Sequence, residues 1–222
     1  MKSIGLLLAI CSVLMGCMVN PQPSRDLSVY QSHMPKSILV LPPINESPDP
    51  RATYGYWSSV MVPLAEAGYY VFPMSIVDVM FKENGISNGF DAQSITPQKL
   101  QKIFGADAAL YIKVKQYGSK YQVVQTVASV AVEAKLVDLK TGQLLWQGQQ
   151  QLTESSAENN SGLIAMLVGA VIEQISNDVQ DKGYLLSQAL SQQLYTPQLN
   201  RQQGLLYGPR SPYFPQNTVE AK

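Results

Sequence analysis

Residues 37–43 have the sequence SILVLPP, a continuous run of apolar and β-branched side chains that ends in two prolines. A run without polar alternation is typical of a strand that is buried on both faces. We therefore expect a central strand over residues 37–41. The segment that follows, residues 44–50, is rich in turn formers and prolines and predicts a loop.

The residues after this loop alternate between helical and extended patterns. Apolar side chains recur at spacings of three and four over residues 54–67, which predicts an amphipathic helix that Pro63 should kink or divide. Residues 69–73 predict a second strand, and residues 75–84 predict a second helix with Val77, Met80 and Phe81 facing inward. The order so far is βαβα.

The next part of the chain predicts a short helix and three antiparallel strands. Thr96 and Pro97 form a helix start, and Leu100, Ile103 and Phe104 give that helix a buried stripe. Strands are then expected over residues 107–115, 121–137 and 143–152, the last two joined by a turn at residues 138–142. The whole pattern predicts an α/β fold, a mixed sheet with helices packed on it.

Residues 161–195 contain no proline and keep helical spacing, and residues 162–175 are apolar on nearly every side. Such a helix must be covered, either by burial against the sheet or by self-association. Small residues at 162, 165 and 169 allow helices to approach closely. The candidate interface of a homodimer or higher homo-oligomer comprises Leu163, Met166, Leu167, Gly169 and Ala170. At about fourteen residues the stretch is too short to span a membrane.

The N-terminus has the features of a bacterial lipoprotein signal. Lys2 precedes a short apolar run, and the run ends in the sequence LMGC at residues 14–17. Cleavage before Cys17 and acylation of its thiol would fix the protein to a membrane through its lipid. Since Met18 follows, where an aspartate would signal inner-membrane retention, we expect the outer membrane, with the domain in the periplasm or exposed at the cell surface.

These signals divide the chain into four parts. We expect a signal peptide at residues 1–16, a lipidated tether at 17–36, a single α/β domain at 37–196 and a proline-rich tail at 197–222. The tail should wrap the domain surface or be disordered. The mature chain would keep no free thiol, because Cys11 leaves with the signal peptide and Cys17 carries the lipid.

Composition argues against several classes of function. The net charge is zero and only 14% of residues are charged, so we expect no nucleic-acid partner. His33 is the only histidine and precedes the first strand, and no spacing of His, Cys, Asp or Glu predicts a metal site or another cofactor. Carboxylates at positions 46, 49, 78, 83 and 107 could face one another, but no spacing requires it. We predict a protein that is not an enzyme.

The loop after the first strand offers the candidate contacts with envelope proteins. Asn45 and Glu46 lie in this loop, and Trp57 lies in the helix that follows it. The candidate partner contacts are therefore the loop at residues 42–50 and Trp57.

Four sequences together resemble a family of bacterial outer-membrane lipoproteins typified by a meningococcal vaccine-candidate lipoprotein. They are LMGC at 14–17, SILVLPPINES at 37–47, GADA at 105–108 and KTGQLLW at 140–146. The family is similar in fold to the N-terminal domain of TolB and, more distantly, to CsgG and LpoB. The resemblance implies self-association and an accessory role in envelope assembly, secretion or transport. A CsgG-like secretion pore subunit and a hydrolase of envelope polymers are the alternative functions.

Overall fold

The computed structural model describes residues 28–122, 125–153, 182–197 and 204–218. These residues form a mixed sheet of seven strands with helices packed on it, so the predicted α/β class is confirmed. The strands are β1 Ser37–Val40, β2 Ile44–Asn45, β3 Tyr70–Val71, β4 Ala108–Gln116, β5 Ser119–Gln122, β6 Gln125–Asp138 and β7 Leu144–Thr153. The helices are α1 Ser28–Ser32, α2 Ala52–Glu66, α3 Met74–Glu83, α4 Gly89–Ser94, α5 Pro97–Phe104 and α6 Lys182–Tyr195.

Strand β1 lies inside the sheet, as its apolar sequence predicts. It pairs in parallel with β3 on one side and with β4 on the other. All four side chains from Ile38 to Leu41 are fully buried. Both faces of β1 are therefore covered, as is typical of a parallel strand inside a sheet.

Helices α2 and α6 cover one face and are joined by buried hydroxyl groups. The indole nitrogen of Trp57 donates to the backbone oxygen of Val40 at 3.2 Å, which fixes α2 over β1. Between the helices, the hydroxyls of Ser59 and Ser191 lie 2.7 Å apart. Helix α2 is continuous through Pro63, so the prediction that this proline divides the helix is wrong.

The antiparallel part of the sheet differs from its prediction. The strand expected at residues 121–137 is two strands, because β5 pairs with the first four residues of β6 as a hairpin. Strand β6 then pairs with β4 on one side and β7 on the other. The predicted meander of three strands is thus present as β4, β6 and β7, with β5 added.

Two further predictions about helical faces and loops need correction. Ile103 was expected in the buried stripe of α5, but it is 46% exposed while Leu100 is fully buried. Residues 44–50 were expected to be a loop throughout, but Ile44 and Asn45 pair with Lys113 and Val114 of β4. The chain therefore stays hydrogen-bonded to the sheet beyond the two prolines.

Segments on both sides of residues 37–196 pack against the core. Tyr30 of α1, in the segment expected to be a tether, is buried, and its hydroxyl lies 2.8 Å from that of Tyr69. Tyr69 also donates to the backbone oxygen of Leu206 at 2.6 Å. Because Leu206 is itself buried, residues 204–218 of the expected tail pack against the domain, and part of the expected tether does too.

Several predicted features lie outside the described residues. They are the signal peptide, Cys17, and the candidate self-association residues Leu163, Met166, Leu167, Gly169 and Ala170. Across the described ranges, no helix has the length and apolar character needed to cross a membrane.

Candidate functional site

Helix α4 is held against the two prolines that follow β1 and against the middle of β4. The amide of Gln93 donates to the backbone oxygens of Pro42 at 2.9 Å and Ile112 at 2.8 Å. Gly89 packs so closely on Pro43 that an added β-carbon would overlap the carbonyl of Pro43. The next residue, Phe90, is 71% exposed, although the contacts of Gly89 and Gln93 fix the helix that carries it. An aromatic side chain is thus presented to solvent on a rigid support.

Helix α4 was not predicted from the sequence, although a local signal for it exists. Asn88 is its N-cap, and its side-chain oxygen accepts from the backbone nitrogen of Asp91 at 2.9 Å. Asparagine at this position, with an acidic residue in the first turn, is a favourable helix start. The helix has only six residues, which is too short to reveal an apolar period.

Phe90 separates two depressions in the surface. The first, which we call the cleft, has a volume of about 270 Å³ and lies between α2, α3 and the loop after β1. The second, which we call the groove, has a volume of about 560 Å³ and runs along the open face of β4 and β6. Ile44 and Phe90 line both depressions. A partner that covers Phe90 would therefore have access to both.

Asn45, a predicted contact residue, shapes the loop that borders the cleft. Its side-chain oxygen accepts from the backbone nitrogen of Ser47 at 2.8 Å and from the Ser47 hydroxyl at 2.7 Å. Its side-chain nitrogen donates to the backbone oxygen of Asp49 at 2.8 Å. Three bonds of this kind close the loop on itself. Asn45 is half-buried and lines the cleft, so it both holds the loop and borders the candidate site.

Glu46, the second predicted contact residue, is exposed and belongs to a row of charges. Lys115 donates to its carboxylate at 2.6 Å, and the nitrogen of Lys113 lies 4.0 Å away. The hydrogen bond from Lys115 is the main cause that lowers the pKa of Glu46, and the same bond raises the pKa of Lys115. Lys115 also lies 3.9 Å from Glu133 of β6. Glu46 is therefore already paired at the edge of the groove.

The expectation that Trp57 contacts a partner needs correction. The side chain has no exposed surface, because α2 presses it against β1 and its indole bonds to Val40. A fully buried ring cannot form a direct contact. The helical period that identified Trp57 places it on the inner face of α2, where it supports the loop and the base of the cleft. Phe90, which was not predicted as a contact residue, is 71% exposed and is more exposed than Tyr54, the other exposed aromatic residue that lines the cleft.

The acidic side chains considered for catalysis have separate partners. Asp78 accepts from the Tyr54 hydroxyl at 3.1 Å and from the Lys82 amine at 2.8 Å. Asp49 accepts two bonds from the side chain of Arg51. Asp107 lies at the other end of β1, where it accepts from Ser37. In the described part of the chain, no three His, Cys, Asp or Glu side chains are grouped as metal ligands would be.

Comparisons with known proteins agree with the resemblance inferred from the sequence. A family model described as "Putative lipoprotein GNA1162-like" matches residues 25–210. The "Putative lipoprotein NMB1124/NMB1162" of Neisseria meningitidis serogroup B is 44% identical over 210 residues, which cover 95% of this chain and 97% of that protein.

Two solved structures are similar to this chain to different degrees. The crystal structure of lipoprotein GNA1162 from Neisseria meningitidis has 50% identity and a TM-score of 0.54, and the match covers 65% of this chain and 100% of that one. The LpoB C-terminal domain from Salmonella enterica has 17% identity and a TM-score of 0.40, over 56% of this chain and 90% of that one. The family match and the 44% identical relative show that this chain belongs to the GNA1162-like lipoprotein family.

Proposed function

We propose that this lipoprotein is a non-enzymatic binding module that holds an envelope protein at the outer membrane, with an accessory role in assembly, secretion or transport. The observation that supports this most directly is Phe90, an aromatic residue that is 71% exposed between the cleft and the groove. Aromatic side chains that fill pockets carry much of the binding energy in protein interfaces. A rigid support also lowers the entropy lost on binding.

The test is site-specific photo-crosslinking in the living bacterium. A benzophenone amino acid replaces Phe90, and the matched control carries it at Tyr213, which is 53% exposed and lies in the C-terminal segment. Binding through this face predicts one discrete crosslinked protein from position 90 and none from position 213. Equal patterns from both positions, or no crosslink from either, would overturn the proposal.

Membrane attachment is the second part of the proposal, and it rests on the LMGC sequence at residues 14–17 and on the lipoprotein family. Cys17 is the proposed lipidation site, and Met18 the residue that permits transport to the outer membrane. Cys17→Ser should move the protein from the membrane fraction to the soluble fraction. Met18→Asp should keep the lipid but move the protein to the inner-membrane fraction, which tests the sorting step separately.

Self-association is the third part, and it rests on the apolar sequence at residues 163–170. We propose that Leu163, Met166, Leu167, Gly169 and Ala170 form the contact between two or more copies. The mature chain with Cys17→Ser, which lacks the lipid, should have an oligomeric mass by light scattering, and Gly169→Leu should lower that mass. A strong loss of thermal stability without a change of mass would instead place this stretch in the core.

A further inference from the structure

The floor of the groove carries two lysines that the sheet brings together. In the antiparallel pairing of β4 with β6, Tyr111 lies opposite Lys135 and Lys113 lies opposite Glu133. Lys113 and Lys135 are therefore diagonal neighbours on one face of the sheet. The Cα atoms of such a pair are about 7–8 Å apart. Both line the groove and both are exposed.

The nearby carboxylates do not neutralise this pair. Glu46 bonds at 2.6 Å to Lys115, which also lies 3.9 Å from Glu133. Lys113 reaches Glu46 only at 4.0 Å. Within the described residues, no ion pair to Lys135 is found. Since the groove is lined by two lysines and one glutamate, its floor keeps a positive charge.

The wall of the groove is partly apolar. Its apolar residues are Ile44 of β2, Phe90, Ile95, Pro97, Tyr111 and Val137, and its polar residues are Gln93, Ser94 and Thr96. The aliphatic parts of the two lysines extend this apolar surface toward the charged ends. A ligand that matches both features must carry negative charge and apolar groups close together.

We propose that the groove binds an extended, acidic segment of a partner protein in which aspartate or glutamate alternates with large apolar residues. The alternation is required because side chains of an extended chain point to opposite sides in turn. The carboxylates would lie between Lys113 and Lys135, while the apolar side chains pack beside Phe90. This inference rests on the proposed function and adds the chemistry of the segment that is bound.

The test uses three fluorescein-labelled hexapeptides and the full-length protein in a neutral detergent, with fluorescence anisotropy as the readout. The first peptide alternates aspartate with leucine. The second replaces each aspartate with asparagine, and the third replaces each leucine with serine. Charge-assisted hydrogen bonds and apolar burial should both contribute, so the first peptide should bind about tenfold more tightly than either of the others. Its affinity should also fall as sodium chloride is raised.

Substitution of the two lysines tests whether the peptides bind in this groove. Lys113→Glu with Lys135→Glu should abolish the preference for the aspartate peptide and create a preference for a peptide that alternates lysine with leucine. That gain of binding shows that the variant is folded. Lys36→Glu is the matched control, since Lys36 is exposed and lies before the start of β1, and it should leave the affinities unchanged.

Three outcomes would overturn the inference: equal affinity for the aspartate and asparagine peptides, an equal loss in Lys36→Glu, or competition by vesicles of anionic phospholipid that matches competition by unlabelled peptide. The proposed function fails separately, because its test is the crosslink at position 90. If position 90 crosslinks to one discrete protein but the peptides bind with equal affinity, the proposed binding role stands. Only the inference that the bound segment is acidic is then overturned.

Discussion

The hydroxyl oxygens of Tyr56 and Tyr195 lie 3.2 Å apart, and neither side chain has any exposed surface. Tyr56 belongs to α2 and donates this bond, and Tyr195 is the last residue of α6. The bond therefore joins the two helices that cover one face of the sheet. A buried hydroxyl that loses its partner cannot recover it from water. Because Ser191 is a second partner of the Tyr56 hydroxyl, the Tyr195 hydroxyl is the one that depends most on this bond.

Tyr56→Phe should lower the free energy of unfolding by about 1–3 kcal/mol, because the Tyr195 hydroxyl then stays buried without this bond. Tyr195→Phe should cost less, because Ser191 remains as a hydrogen-bond partner of the Tyr56 hydroxyl. The double variant should lose less than the sum of the two single variants, since no unpaired hydroxyl of this pair remains. Urea unfolding of the four proteins measures the coupling. Additive losses would show that the bond contributes nothing of its own.

The same burial predicts a loss of stability at high pH. Desolvation is the main cause that raises the pKa of Tyr56 from 10.0 to about 12. The unfolded chain therefore releases its phenolic proton first, and the stability that Tyr56 contributes is complete below pH 10 and is lost as the pH rises through about 12.

In that range the free energy of unfolding should fall by as much as about 1.4 kcal/mol per pH unit for this one group. Tyr56→Phe should reduce the slope by about that amount in urea titrations between pH 9 and pH 12. Tyr213→Phe is the control, because Tyr213 is exposed and should leave the slope unchanged. An unchanged slope in Tyr56→Phe would contradict the assignment.

The features that the sequence predicts correctly depend on short-range chemistry. The turn at residues 138–142 forms because one oxygen of Asp138 accepts from the backbone nitrogens of Lys140 at 3.0 Å and Thr141 at 2.7 Å. Helix α5 begins after Thr96 and ends at Gly105, whose φ of 68° lies in the left-handed region. Each signal involves residues that are only a few positions apart, so it can be recognised from the sequence alone.

The features that the sequence does not predict depend on contacts between distant segments. Leu145 and Trp146 are both buried although they are neighbours, because the register between β6 and β7 shifts beside them. Alternation alone would place them on opposite faces. Phe90 was missed for a similar reason: its position follows from contacts of Gln93 and Gly89 with the prolines after β1 and with the middle of β4, which are far away in sequence.

The attachment of the C-terminal segment predicts a large effect at Gly68. Its φ is 96°, and an added β-carbon would overlap the backbone of Ser211, next to the bond that Arg210 donates to the Gly68 oxygen at 3.1 Å. Gly68→Ala should therefore lower the free energy of unfolding by the backbone strain of about 1–3 kcal/mol and by the loss of these contacts.

The control for this prediction is Gly85→Ala. Gly85 has a similar φ of 77°, but an added β-carbon there meets no atom within 4 Å. Only the backbone strain should then appear. Urea unfolding gives the difference between the two variants, and limited proteolysis should cut near residue 208 faster in Gly68→Ala alone. Equal losses in both variants would mean that the C-terminal segment adds no stability through this contact.

Gly89 provides a test that relates the fold to the candidate site. An added β-carbon would overlap the carbonyl of Pro43, and this neighbour is backbone, which cannot rotate away as a side chain can. Gly89→Ala should therefore displace α4 and, with it, the adjacent Phe90. Since a misplaced aromatic residue loses its contacts with a partner, we expect the crosslink from position 90 to weaken at least tenfold.

Lys99→Ala is the matched control for Gly89→Ala, because Lys99 lies on the neighbouring helix α5, is exposed, and lines neither the cleft nor the groove. It should leave the crosslink nearly unchanged. Circular dichroism should show that Gly89→Ala keeps its secondary structure, because the overlap is confined to α4 and the loop after β1. A crosslink of normal yield in Gly89→Ala would mean that the partner does not depend on the position of Phe90, and binding would then have to be assigned to another face of the domain.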